Sequence, residues 1–265
     1  MAKSQIIKDL INKKAELTQA LERVLVIAME INDADTVKWV KQEKNGYSEN
    51  DAIPSYRRVS LIPMGSYQMV GWGHIYTYQH RALPTLGVPE EIKELYQNHH
   101  FKQGLSQIIE QYNESKGNEN RIGIPIQPEH YYMFEKDTNI NITNAYLYYS
   151  QFDLEKIIDA VRTRTIELLV LLEKNFGVLD DLDISIDDYK NEEILKLQEA
   201  CAMVINGNNS GDTYIITDSK IKKSIVGKEN SISKESRVEV NPEILSGSEN
   251  KKSFWKWLVG LFGRK

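Results

Sequence analysis

The sequence contains a single cysteine, Cys201, and this scarcity restricts both its covalent structure and its expected compartment. One cysteine excludes any intrachain disulfide, and proteins without disulfides are typical of reducing compartments. Residues 1–14 alternate lysines with isoleucines and a leucine, so they lack the continuous apolar segment of a signal peptide. We therefore expect a cytoplasmic protein.

The spacings that mark common metal and catalytic sites are also missing. None of the five histidines stands in an H-E-x-x-H pattern or beside a C-x-x-C pair. Cys201 falls on the apolar side of a predicted helix without a cation to lower its pKa, which favours a core thiol over a nucleophile. Gly65, Gly71 and Gly73 do not form a phosphate-binding loop. We expect no metal and no cofactor, and we predict no catalytic residue, although an enzymatic activity stays open.

Acidic residues are absent from the last part of the chain. Residues 251–265 carry five lysines or arginines and no acid, whereas residues 1–250 carry a net charge of −10. An acidic body with a basic end is poorly suited to binding nucleic acid and better suited to touching an anionic membrane. The apolar and charged fractions, 41% and 27%, are those of a folded globular protein.

Apolar periodicity predicts a mainly α fold with minor β structure. Helices are predicted over residues 4–31, 36–44, 101–114, 154–176 and 192–205, with a shorter one from Pro89 to Gln97. Residues 56–78 are rich in tyrosine, valine and isoleucine between glycines, which predicts a small β-hairpin. Residues 121–144 show no clear period, and we predict an irregular connection there.

We divide the chain into three parts: a mainly helical domain (residues 1–205), a β-rich connector (206–250) and a C-terminal helix (251–265). The connector contains short β-branched pieces separated by polar residues. Such pieces are not stable as isolated strands, so one interpretation is a segment for oligomerisation and the other is a semi-ordered linker.

The helix end near residue 45 and the following proline region carry a polar cluster. It comprises Trp39, Glu43, Asn45, Gly46, Tyr47, Arg57 and Arg58. Arginine can bind a carboxylate or phosphate in a bidentate manner, which would suit ligand recognition. The structural interpretation is that one arginine pairs with Glu43 and fixes the corner between the helix and the hairpin. We favour the structural interpretation.

The same stretch carries a family resemblance. The segments Trp39–Tyr47 (WVKQEKNGY) and Ile53–Arg57 (IPSYR) resemble the AbiTii-type domain of bacterial abortive-infection proteins. Leu83–Pro89 (LPTLGVP) and Ile157–Arg164 (IIDAVRTR) are similar to later parts of that domain, so the resemblance covers about residues 5–180. It implies a role in phage defence, in which infected cells stop growing before phage matures. It supplies no catalytic residues.

The C-terminal segment predicts an amphipathic helix. Its apolar face would contain Phe254, Trp255, Trp257, Leu258, Val259, Leu261 and Phe262, and the opposite side would contain Lys252 and Lys256. This stretch is too short to span a bilayer, but tryptophans and phenylalanines flanked by cations are typical of a helix that lies in the membrane interface. The alternative is that this face docks on the protein's own body or on a second subunit.

Together these features predict a non-enzymatic abortive-infection component. We expect it to act as a homo-oligomer, peripheral on the inner face of the cell membrane, in response to an unknown phage trigger. One alternative is a toxin directed at nucleic acid, such as an RNase. The negative charge of the body disfavours it, and we expect no nucleic-acid partner. Another is a sensor or scaffold that binds a phage protein.

Overall fold

The computed structural model describes residues 3–116, 122–182, 184 and 189–207, which belong to one unit spanning residues 1–208. Its α-helices in these ranges are α1 (Gln5–Ile11), α2 (Leu17–Glu30), α3 (Ala34–Asn45), α4 (Glu90–Gln97), α5 (Leu105–Ser115), α6 (Tyr132–Glu135), α7 (Gln151–Phe176) and α8 (Asn191–Asn206). The strands are β1 (Arg58–Val59), β2 (Ile62–Gly71), β3 (His74–Ala82), β4 (His99–His100), β5 (Ile122–Pro125) and β6 (Ile140–Tyr149). The prediction of a mainly α fold with minor β structure is confirmed.

Helix ends follow the local chemistry of their capping residues. The Asp33 side chain accepts a hydrogen bond from the Thr36 amide and so caps α3. Helix α7 begins three residues before the predicted start because Ser150 is its N-cap. Asp153 completes a reciprocal capping box from the first turn. Gly177, with a φ of 84°, ends α7 as predicted.

The single helix predicted over residues 4–31 is wrong, because the chain breaks between α1 and α2. Lys13 adopts a φ of 56°, and the Asp9 carbonyl accepts hydrogen bonds from the Lys14 and Ala15 amides. The run Asn12–Lys14 contains no apolar residue, so nothing there holds a straight helix against the core. The break lets α1 and α2 each pack separately against α7.

A four-stranded antiparallel sheet in the order β3-β2-β6-β5 accompanies a short β1-β4 pair. The predicted hairpin is confirmed as β2 and β3, joined by Trp72 and Gly73 in left-handed conformations. The irregular connection predicted over residues 121–144 is wrong, since it contains β5 and the start of β6. Their partners are distant in sequence, and β6 alternates buried and half-buried residues only in its second half.

The core of the unit is centred on α7. Its side chains Ile157, Val161, Leu168 and Leu169 are buried among α1, α2, α5 and α8. The 3-10 turn Ser55–Arg57 also contacts α7. This arrangement brings the end of α3, the turn before β1 and the segment before α5 to one place, where the polar cluster lies.

Candidate functional site

Glu43 and Arg57 form a fully buried ion pair between α3 and the Ser55–Arg57 turn. The distance from Arg57 Nη2 to Glu43 Oε2 is 2.6 Å, and that from Arg57 Nε to Glu43 Oε1 is 3.3 Å. Both side chains have an exposed fraction of 0%. A buried pair of this kind is stable only if its remaining donors and acceptors are also satisfied.

Three aromatic residues and two carbonyls provide those additional partners. Tyr47 and Tyr56 donate their hydroxyl protons to Glu43 Oε1 at 2.5 and 2.6 Å, and Trp39 Nε1 donates to the Tyr56 hydroxyl at 3.1 Å. Arg57 Nη1 donates to the carbonyls of Phe101 and Gln103 at 3.0 and 2.7 Å. We call Trp39, Glu43, Tyr47, Tyr56 and Arg57 the Glu43 cluster.

The electrostatics of the cluster keep its tyrosines protonated. Burial, followed by the charge of Glu43, raises the pKa of both Tyr47 and Tyr56 above its ordinary value. Both hydroxyls therefore remain donors to the carboxylate and are poor candidates for a general base. The Arg57 guanidinium also lies over the Tyr47 ring, with Cζ 4.8 Å from the ring centroid.

Close backbone contact fixes the same corner. Gly46 has a φ of 95°, and a Cβ there would lie 2.6 Å from the Lys102 carbonyl oxygen. A Cβ on Gly104 would lie 2.4 Å from the Lys44 carbonyl oxygen. The Tyr47 amide donates to the Lys102 carbonyl at 2.8 Å. Only glycines permit the end of α3 to approach the residues before α5 this closely.

The sequence-predicted residues therefore separate into two groups. Trp39, Glu43, Tyr47 and Arg57 come together, with Gly46 beside them at the corner. Asn45 and Arg58 are exposed, and of the two candidate arginines it is Arg57 that pairs with Glu43. Because each charged group of the cluster is bonded internally, the geometry favours the structural interpretation over ligand recognition by Arg57.

Sequence reasoning missed the parts that Tyr56 and Arg164 play. Arg164 of α7 lies over the Tyr56 ring, with Cζ 4.2 Å from the centroid, and donates to the carbonyl of Ile205 near the end of α8. Both residues stand within segments that carry the family resemblance, which was the available signal. Trp39, Tyr56 and Arg164 also line a cleft of about 330 Å³ that reaches Ile205.

Other titratable candidates lie away from the cluster. Burial, with smaller contributions from His100 and Lys102, lowers the pKa of His99 to about 4. Burial raises the pKa of the Cys201 thiol to about 12, and the nearby Asp33 carboxylate adds to this effect. Both groups are therefore uncharged at neutral pH. In the described ranges, no three His, Cys, Asp or Glu side chains are placed to hold a metal ion.

The predictions for the C-terminal part fall outside the described residues. They concern the connector beyond Gly207 and the membrane-binding set Lys252, Phe254, Trp255, Lys256, Trp257, Leu258, Leu261 and Phe262. Among the helices that the structure does describe, none has the length and apolar character required to cross a bilayer.

Comparison with known proteins identifies a family. A family model described as AbiTii matches residues 4–196, which covers the region from α1 to the first part of α8. No curated protein and no solved structure gives a significant match. The matched range contains the whole Glu43 cluster together with Arg164 and ends before the connector.

Proposed function

The chain belongs to the AbiTii family, whose members are implicated in abortive infection, and from this premise we propose that it is a non-enzymatic phage-defence component. Its matched domain is the folded body, and its C-terminal segment is the part that acts, at the inner face of the cell membrane. In this proposal infection relieves an inhibited state and allows the segment to reach the lipid. Residues 206–250 would hold several copies together.

The non-enzymatic part of the proposal is supported chiefly by the saturation of the Glu43 cluster. A catalytic acid, base or nucleophile needs a free proton or lone pair directed at a substrate. Here the Glu43 carboxylate accepts from two tyrosines and Arg57, and the guanidinium donates to that carboxylate and to two carbonyls. The most distinctive polar residues of the family signature are therefore occupied in joining three segments of the fold.

The membrane part of the proposal is supported by the chemistry of residues 251–265. Two tryptophans and two phenylalanines on one helical face would form a large apolar patch if left in water. Lipid burial stabilises such a face by about 25 cal/mol per Å² of apolar area, and each nearby cation adds on the order of 1 kcal/mol on an anionic surface. Both contributions should be separable by mutation.

Liposome flotation tests this proposal directly. The full-length protein should float with vesicles that contain anionic lipid, and the Trp257→Glu/Leu258→Glu variant should remain in the soluble fraction. The Lys252→Ala/Lys256→Ala variant should bind more weakly at low salt, and its binding should depend less steeply on salt because fewer cations contribute to the attraction. Leu86→Glu, which adds an acid at an exposed site on the body, is the matched control and should float normally.

Failure of the wild-type protein to float would refute the membrane proposal. So would unchanged flotation of the Trp257→Glu/Leu258→Glu variant. A double variant that loses the far-UV circular dichroism of the body would instead support the alternative in which the segment docks on that body. The nucleic-acid-directed toxin would be favoured if expression of the protein degrades cellular RNA, and if a mutation in the body abolishes this degradation while loss of the C-terminal segment does not.

A further inference from the structure

The tip of the β2–β3 hairpin exposes apolar side chains on both faces and at its end. Val70 and Ile75 form a cross-strand pair and are exposed to 62% and 66%. Successive residues of a strand point to opposite faces, so the next pair, Met69 and Tyr76, lies on the other face. There the Tyr76 side chain is 43% exposed, and Trp72, in the turn itself, is 97% exposed. The ribbon therefore presents apolar surface to solvent all around its tip.

Charged side chains are absent from this tip. Residues 59–80 include no aspartate, glutamate, lysine or arginine, although these make up 27% of the chain. The first such residue on the hairpin, Arg81, pairs with Gly65, six residues before Gly71. At about 3.3 Å per residue, this places Arg81 roughly 20 Å from the turn. That distance exceeds the depth of about 5–10 Å to which an interfacial segment enters a membrane, so insertion of the tip desolvates no arginine.

The backbone of the tip suits the headgroup region of a bilayer. Trp72 and Gly73 form a two-residue turn, and Gly71 pairs with His74 directly beside it. The β-bulge of β3 lies at the other end of the hairpin, opposite Ser66, so the register near the turn is regular. In the described part of the chain no strand pairs with the outer edge of β3. Those peptide groups need water, which excludes the hydrocarbon core but not the headgroup region.

Folding does not explain a tryptophan in this turn. Trp72 has a φ of 54°, a left-handed conformation that glycine and asparagine adopt more readily. Its side chain is almost wholly exposed, so it gains little packing in return. Tryptophan is enriched where proteins meet the membrane–water interface, because its ring is apolar while the indole N–H can still bond to water. Trp72 therefore costs the fold stability and matches the chemistry of a lipid surface.

We propose that the hairpin tip, residues 70–76, enters the headgroup region of a lipid bilayer and that Trp72 anchors it there. A protein groove would match one face of the ribbon, whereas lipid covers both faces and the end together. Because the tip carries no cation, this contact does not require anionic lipid, unlike that of the C-terminal segment. The tip is small and adds to binding once the chain is held at the membrane, and in this respect the inference rests on the proposed function.

Tryptophan fluorescence of the full-length chain tests this contact. Trp255 and Trp257 are replaced by phenylalanine, which leaves two of the four tryptophans as emitters: Trp39, which is 4% exposed, and Trp72. A C-terminal hexahistidine tag holds the chain on vesicles of zwitterionic lipid with a small fraction of nickel-chelating lipid, so binding by the C-terminal segment is not required. The emission maximum should move to shorter wavelength on tethering, because the Trp72 ring leaves water.

Met203 of α8, which is 63% exposed, provides the matched control site. Trp72→Asn combined with Met203→Trp moves the reporter from the hairpin to α8, and its emission should not shift. Trp72→Asn alone should lower the affinity of the untagged chain for anionic vesicles about ten-fold, because one large side chain is no longer buried in lipid. It should cost no stability in urea, since asparagine suits the turn. Met203→Asn should leave the affinity unchanged.

Unchanged emission of the tethered chain would overturn the proposal, and so would an equal shift in the Met203→Trp control. An emission maximum already at short wavelength before lipid is added would mean that protein covers the tip, and would overturn it as well. The two membrane contacts fail separately. Flotation of the untagged chain without a Trp72 shift refutes the hairpin contact alone, whereas a shift in the tethered chain without flotation of the untagged chain refutes only the C-terminal contact.

Discussion

Replacing Glu43 by alanine should lower the free energy of unfolding by about 3–5 kcal/mol, because Arg57 is left charged and buried without a carboxylate. The Tyr47 and Tyr56 hydroxyls also lose their acceptor, and an unsatisfied buried polar group costs about 1–3 kcal/mol. The broken ion pair and the unsatisfied hydroxyls share one site, so their costs do not add. We therefore take the range for the broken ion pair as the expected total loss. A loss of this size is a large fraction of the stability of a typical domain.

Urea denaturation followed by circular dichroism measures this loss, with a surface ion pair as the internal control. Lys44 and Glu22 lie 2.5 Å apart, but their exposed fractions are 27% and 58%, so Lys44→Ala should cost less than about 1 kcal/mol. Arg57→Lys should also be strongly destabilising, since an ammonium group cannot reproduce the planar fork that reaches Glu43 and two carbonyls. If Glu43→Ala costs no more than Lys44→Ala, the buried Glu43–Arg57 pair does not stabilise the fold in this way.

Three further predictions concern the corner, the effect of pH and the connector. Gly46→Ala should destabilise the protein by more than about 1 kcal/mol, because of its φ of 95° and its close carbonyl neighbour, whereas Gly71→Ala, which has open space around it, should change stability little. His99 has a folded-state pKa of about 4 against an ordinary 6.5, so the unfolded state binds the proton first. The free energy of unfolding should therefore fall by up to about 3 kcal/mol as pH drops from 6.5 towards 4. In His99→Phe, the free energy of unfolding measured by urea titration should change less steeply with pH. Light scattering on residues 1–245 should give a particle mass that is a larger multiple of the mass of one chain than residues 1–205 give, and equal multiples would exclude self-association through the connector.

The sequence predicted those parts of the fold that depend on local chemistry. Capping residues such as Asp33 and Gly177 mark helix ends through bonds made within a few residues, so the bounds of α3 were predicted to within two residues and the end of α7 at the residue observed. Helical periodicity alone failed between α1 and α2, where the apolar spacing continues in approximate register across a turn at Lys13. Strand β6 was missed because its pairing with β2 brings together residues far apart in the chain.

The candidate site shows the same division between local and distant contacts. The pairing of Glu43 with an arginine was predictable from opposite charges beside a helix end and a proline turn. The choice of Arg57 over Arg58 was not, because it depends on which side chain the Ser55–Arg57 turn directs inward. The carbonyl of Gln103, which accepts from Arg57, lies on a segment whose position only the tertiary fold determines.

Experiments in infected cells decide whether the C-terminal segment (residues 251–265) is the part that acts and the body supports it. Cells would express the full-length protein, the Trp257→Glu/Leu258→Glu variant or the Leu86→Glu control, at matched levels, and plaque formation and membrane potential would be followed after phage addition. We predict that the control retains defence with a fall in membrane potential, and that the double variant loses both while its body remains folded. Full defence by the double variant would contradict a membrane-acting C-terminal segment and would favour a sensor or scaffold that works through its folded body.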